Sequence, residues 1–487
     1  MKKNLLIRQH EKVDQFIIYL CLTVFSVWVA LLNYKYLHFG YYDWDLAFFA
    51  QAMWNLAHGS AHVSLFDTNV FANHANLIAY LILPLYKIFP HPLTLVSLKV
   101  ASYVIAGFVL YILAKEKLGF LTAAILTLLY FIYPPNLFGI VYEFDFESLA
   151  PAFLMLLYYF YVKDRWGGFI ICALILILIK ENLPLVVLAF GIHGMFVKKD
   201  KLRWGIVPLI LGLGSFIVLT QVFISWMGGR HLGYHPYLSH YNTYGSSLSE
   251  ILCNILLHPI RTWHYLFTPL NERWFLNIFS PLLFLPLLSL HVLFLISPIM
   301  LQHLLSQEWQ EHSIYYAYML TVAPFLFLAT IHTLSYWQGR WQKLSYNVLI
   351  LSIVIFIGTN INNQSKNLTL RYVPTDVSTA SYRWELVHRI PKDAAVVASF
   401  CFLAELSQRK DLYAFYKIYD PHYQRKDWSY RLPKNVEYAL IDFNDPWLKA
   451  DLQNNFGLIN TRVRNFLSSG WVIEKRYGSI VLYKRKG

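Results

Sequence analysis

Tyr41-Tyr42-Asp43-Trp44-Asp45-Leu46-Ala47-Phe48-Phe49-Ala50-Gln51 comes just after the first long apolar run of the chain, Phe16–Leu32. Two carboxylates and an amide therefore stand where a membrane helix would meet water. In a chain with 14% charged residues, acids placed there need a reason. Two readings compete. Asp45 heads an active site on the outer face of a membrane enzyme, or the acids only mark the edge of a bilayer.

The rest of the chain supports the membrane setting. Its 487 residues are 57% hydrophobic and 14% charged, where a soluble domain averages about 45–50% apolar and about 25% charged. Runs of about 15–20 apolar residues recur from Gln15 to Ile361, the length that crosses roughly 30 Å of hydrocarbon. The formal net charge of +13 would suggest nucleic acid in a soluble protein. Here the bases cluster in short loops between apolar runs: Lys115-Glu116-Lys117, Lys163-Asp164-Arg165, Lys198 to Arg203, and Arg340 with Lys343. That is the positive-inside pattern, so the charge reports topology and no nucleic-acid partner. The four cysteines show no pairing pattern and no CxxC, so neither a disulfide framework nor a zinc site is indicated. Lys2, Lys3, Arg8 and Lys12 precede a run too long for a signal peptide, which predicts an uncleaved first span with its N-terminus inside.

Taken in order, the pattern predicts about eleven spans of roughly 20 residues. Long outer segments fall at 34–92 and 225–273, with shorter ones at 135–147 and 307–314. Leu46–Leu56 and Asn76–Phe89 read as helices along the outer surface, the second broken by Pro84. The stretch 166–197 carries basic clusters at both ends, so it reads as a hairpin of two short helices with Lys180, Glu181 and Asn182 at the outer tip. From 363 the composition becomes that of a soluble α/β domain outside the membrane. Strands are expected at Ala394–Ser399 and Val436–Asp442, and helices at Leu403–Gln408 and Pro446–Asn455. A hairpin is expected around Arg476-Tyr477-Gly478.

This topology gathers acids and histidines on the outer face and leaves mostly Lys and Arg inside. An aqueous cavity opening outward follows. A partly desolvated acid there can take a proton from a hydroxyl, which suits group transfer to an alcohol. Asp45 is the first candidate; the competing role is an N-cap for Leu46–Leu56. Asp145 and Glu147 offer a second carboxylate site. With His74 they present oxygen and nitrogen ligands for a divalent cation, although no spacing is metal-specific; helix-start acids are the structural alternative. Lys180 is placed to neutralise a phosphate with Glu181 as its partner, or the two form a plain ion pair. Arg230 suits a lipid phosphate or headgroup anchoring. Gln51, His312 and Tyr316 complete the candidate substrate-binding set. No P-loop, GxGxxG, HExxH or GxSxG is present, which argues against an ATP-driven pump.

Asp45-Leu46-Ala47-Phe48-Phe49-Ala50-Gln51 with Trp54, Asn73-His74, Tyr133-Pro134-Pro135, Phe144-Asp145-Phe146-Glu147, Lys180-Glu181-Asn182, and His312 to Tyr316 before Pro324 resemble the domain-of-unknown-function 2079 family of membrane proteins. That family looks like a branch of the GT-C glycosyltransferases. Ala47, Ala50, Glu147 and Asn182 depart from residues usual in the family. The resemblance implies a GT-C-like membrane domain over 1–362, with Asp45 as the catalytic base in the first outer loop. It implies a polyprenyl-phosphate-linked sugar donor, membrane lipids as surroundings, an acceptor the sequence does not name, and transfer on the outer face of the cytoplasmic membrane. The rival is a transporter or lipid-handling protein without covalent chemistry.

Overall fold

The structure, a computed structural model, describes residues 2–338, 343–372, 377–419, 431–454 and 456–486; Arg340 of the last basic loop lies outside them. The chain is mostly helical, with a small sheet near its C-terminus. Among the described residues, four helices are long and apolar enough to cross a membrane: Glu11–Leu37, Pro92–Leu118, Leu202–Met227 and Met319–Gln338. Phe120–Ile132 and Pro134–Val141 would make a fifth as one span bent by 47°. The bend sits at Pro134 and Pro135, where proline rings cannot continue the preceding helix. Phe146–Val162, Trp166–Ile179, Pro184–Val197 and Leu290–Leu305 are apolar but shorter, so helix length alone does not yield the expected eleven spans.

The hairpin expected within 166–197 is present. Trp166–Ile179 ends at Lys180, and Pro184 starts the next helix at its first position, where a missing N–H costs nothing. This second helix lies close against the chain that follows: a Cβ on Gly194 would overlap the Trp204 carbonyl. One of the about eleven spans, expected at about 274–288, is not a continuous helix. Pro269–Phe279 is helical, but Leu283 and Phe284 take left-handed backbone between two 3-10 turns, Ser280–Leu282 and Leu285–Leu288.

The described chain forms two compact units. The first comprises 1–30, 71–79 and 97–369. It holds most of the helices and also His74. The second comprises 31–70, 80–96 and 370–487, so most of the first outer loop belongs with the C-terminal sheet.

Within the second unit the sheet has five strands in the order Leu412–Ala414, Val396–Ala398, Tyr438–Asp442, Ile480–Arg485 and Trp471–Tyr477. The first three run parallel, and the hairpin closes through Gly478 at φ 58°. Leu412–Ala414 was not expected, because three residues show no period. Leu403–Gln408 is not a helix; a short one ends at Leu403. The opening stretch is packed into this unit. Trp44 meets the rings of Phe66, Phe400 and Tyr416, and the Trp447 indole donates to the Tyr42 carbonyl at 2.7 Å.

Gln51 is fully buried. Its amide donates to Ser64 Oγ at 2.8 Å and to the carbonyls of Arg409 and Lys410 at 3.1 and 3.0 Å, and its Oε1 accepts from the Leu65 N–H. The substrate-binding role expected for Gln51 is therefore replaced by an architectural one, since its polar atoms are spent on the protein. Gln51→Ala should lower stability by about 1–3 kcal/mol for each buried group left without a partner. Thermal unfolding of the purified chain in detergent measures this.

Candidate functional site

The first unit contains a cavity of about 370 Å³. One end is polar, formed where the 166–197 hairpin breaks. Stopping the helix at Lys180 and restarting it at Pro184 leaves Lys180, Glu181 and Asn182 facing inward, each at least nine-tenths buried. The loop 231–241 adds His235, Tyr237 and His240, and the end of Leu290–Leu305 adds His303 beside Glu311. The remaining wall is apolar, with Phe216, Leu248, Ile251, Leu252, Ile255 and Leu301.

Lys180 Nζ lies 2.5 Å from Glu147 Oε2 and 3.6 Å from Asp145 Oδ2. Burial works against its charge, but Asp145, Glu147 and Glu181 together hold its pKa well above the usual value. Asp145 also caps the turn Phe146–Leu149 by accepting from the Glu147 N–H. The expected pairing of Lys180 with Glu181 is thus exchanged for one with Glu147.

Glu181 holds a different set. Its Oε1 accepts from His74 Nδ1 at 2.7 Å and faces His235 Nε2 at 3.4 Å, while Oε2 accepts from the Ala75 N–H. His235 Nδ1 accepts from the Tyr237 N–H, so its proton sits on Nε2, toward the carboxylate. Tyr237 stacks on His74 with centroids 4.4 Å apart, and its hydroxyl donates to Asn73 Oδ1. Burial would raise the Glu181 pKa, yet His74 and His235 hold it well below the carboxylate range. Glu311 repeats the motif. Oε1 pairs with His240 at 2.9 Å and accepts from Ser306, and Oε2 pairs with His303 at 3.0 Å.

Burial would raise Glu311 as well, but the two histidines bring it to about 2. A carboxyl held below its unfolded value of 4.5 adds stability that is complete above that value and is lost as pH falls through the folded one. Glu311→Gln should therefore remove part of the acid-side stability loss below about pH 4.5, as read by unfolding temperature against pH.

The structure brings His74, Glu147, Lys180 and Glu181 to one cavity and sets Asp145 beside Lys180. Arg230 is exposed, its guanidinium over the Tyr234 ring at 4.4 Å, and it does not line the cavity. His312 is held from both nitrogens by Asn271 Oδ1 and the Ser306 carbonyl, and burial lowers its pKa. Tyr316 packs against Tyr142 and Trp309. Neither His312 nor Tyr316 lines the cavity. Asp45 opens the helix Asp45–Ala57 in the second unit, with Trp44 in the N-cap position. Sequence reasoning missed His235, His240 and His303. The histidine-rich loop 225–273 was the available signal for the first two.

The set Asp145, Glu147 and His74 does not fit a divalent cation. The Lys180 ammonium occupies the place between the two acids, and His74 turns to Glu181. Among the described residues no three His, Cys, Asp or Glu side chains converge as metal ligands.

A helical unit with apolar spans and a small C-terminal sheet make up a fold that this chain shares with solved structures. The chain is similar to ArnT from Cupriavidus metallidurans bound to undecaprenyl phosphate: TM-score 0.56 and 12% identity over 96% of this chain and 97% of that one. For ArnT in the apo state the TM-score is 0.51, at 12% identity over 95% and 98%. The oligosaccharyltransferase AglB of Archaeoglobus fulgidus matches at 0.38, with 12% identity over 97% of this chain and 75% of that one. The chain belongs to the DUF2079 family, described as "Predicted membrane protein", whose profile matches residues 35–475. A comparison with curated proteins finds no match.

Proposed function

We propose that this chain is a membrane glycosyltransferase that moves a sugar from a polyprenyl-phosphate-linked donor to an acceptor on the outer face of the cytoplasmic membrane. The observation that carries this reading is the cavity of the first unit. Lys180, four histidines and the carboxylates of Glu147, Glu181 and Glu311 stand at one end, and mostly apolar side chains line the rest. That combination suits an ionic head group on a prenyl chain. ArnT, which shares the fold, was crystallised with undecaprenyl phosphate. The positive-inside distribution of loop bases supports the outer face.

In this reaction Asp45 takes the proton of an acceptor hydroxyl as its oxygen attacks the anomeric carbon. The bond from that carbon to the phosphate oxygen breaks, and the polyprenyl phosphate leaves with the electron pair. Asp145, through its ion pair with Lys180, orients the polar end of the cavity.

The test uses the full chain reconstituted in liposomes with a panel of labelled polyprenyl-phosphate sugars. Release of polyprenyl phosphate with transfer of label is the expected result. Tight binding of every donor without turnover would instead establish a lipid-handling protein.

A further inference from the structure

In the C-terminal sheet, the parallel strand Val396–Ala398 pairs with Leu412–Ala414 on one side and with Tyr438–Asp442 on the other. The chain leaves the central strand toward one neighbour and comes back on the other. In an open α/β sheet that is where a crevice forms outside the carboxyl ends of the strands and where ligands bind.

The segments that follow these three strands carry Phe400, Tyr416 and Trp447. All three reach the stretch that leads into the helix Asp45–Ala57. The Trp44 ring lies 5.0 Å from Phe400 and 5.8 Å from Tyr416, and the Trp447 indole donates to the Tyr42 carbonyl at 2.7 Å. A second indole brackets the stretch at its other end. Trp384 donates to the Leu37 carbonyl at 2.8 Å and packs on the Phe39 ring. Trp44 is 7% exposed, so the place that a ligand takes in such sheets is taken here by a segment of the chain itself.

Trp44 stands directly before Asp45 in the N-cap position. Its carbonyl accepts the Phe48 N–H at 2.7 Å, and its N–H donates to Asp43 Oδ1 at 2.9 Å. Holding Tyr42 and Trp44 therefore fixes where the helix begins and where the Asp45 side chain leaves the backbone. A general base acts only within hydrogen-bond reach of its proton, and a misplacement of about 1 Å costs on the order of 10²-fold in rate. Trp447 is 42% exposed and Trp384 is partly exposed, so either N–H can be removed with little loss of buried contact.

We propose that the carboxyl edge of the C-terminal sheet is the seat of Asp45, with Trp447 and Trp384 as positioning residues that act through the carbonyls of Tyr42 and Leu37. The role of Asp45 as base rests on the glycosyltransferase reading; the seat rests on contacts within the second unit.

The experiment compares the full chain with Trp447→Phe, Trp384→Phe and the double variant, since phenylalanine keeps a ring and deletes the N–H. Hydrogen exchange, read by mass spectrometry on peptides covering 36–50, should quicken by about 2- to 10-fold for each lost hydrogen bond. Exchange in the first unit should stay as in the parent. In liposomes with the labelled donors, kcat of the double variant should fall about 10- to 100-fold with KM unchanged, while the unfolding temperature stays near that of the parent. Unchanged exchange at 36–50 in the folded double variant overturns the proposal, and so does an unchanged kcat once that stretch has loosened. If the double variant does not fold, the two single variants are read in its place by the same criteria. If the parent transfers sugar from no donor, the glycosyltransferase reading falls, and exchange alone decides whether the seat holds the stretch.

Discussion

Asp45→Asn is expected to abolish sugar transfer while leaving the chain folded. Removal of a general base costs about 10²–10⁴-fold in rate. The amide keeps the shape of the acid but cannot accept the proton. Asp45 is the first residue of the helix Asp45–Ala57, and its side chain does not fill the N-cap position, which Trp44 holds. Losing its charge near the helix N-terminus costs about 0.3–1 kcal/mol. Turnover in reconstituted liposomes and unfolding temperature in detergent separate the two effects. Turnover at the level of the unmodified chain would remove Asp45 from the role of base.

The second large effect concerns Lys180. Lys180→Met leaves Glu147 buried without its cation, 2.5 Å from where the ammonium stood, and exposes it to Asp145. Breaking a buried pair by removing one partner costs about 3–5 kcal/mol. A large drop in unfolding temperature is expected. The double substitution Lys180→Met with Glu147→Gln should recover most of it, because a neutral amide needs no counter-charge. A single variant as stable as the parent would show that the pair is not what holds the hairpin break in place.

These two residues mark different limits of sequence reading. Asp45 was legible because its setting is local. An acid just after an apolar run, followed by a helix with an aromatic face, can be read from neighbours within one turn. Lys180 was legible as a buried ionisable residue at a break between apolar runs, since such a residue needs a partner. Its partner was not legible. Glu181 is adjacent in sequence, but neighbouring residues on a turn point apart, and Glu147 from 33 positions away reaches the ammonium instead. The histidines of the cavity were harder still. His235 and His240 sit in a histidine-rich loop that does not say what they meet, and His303 sits near the end of the apolar helix Leu290–Leu305.

Gln51 is a different case. It belongs to the stretch with the plainest resemblance, and it looked like part of a substrate site. Its amide is held by carbonyls more than 350 residues away. A polar residue in a half-apolar helix looks the same from sequence whether it faces a ligand or the backbone of a distant turn.

What the sequence determined by itself is whatever depends on composition over a short window. That covers the helical membrane class, the hairpin at 166–197, the C-terminal α/β sheet, and the presence of acids beside apolar runs. Hydrophobic burial and helix length set these locally, so they survive without knowledge of packing. The tertiary structure alone decided which side chains meet. It gave Lys180 to Glu147, His74 and His235 to Glu181, His240 and His303 to Glu311, and Gln51 to the C-terminal turn. The physical reason is that a hydrogen bond or ion pair exists only over about 3–4 Å. Which residues come within that distance is fixed by how whole helices and loops pack.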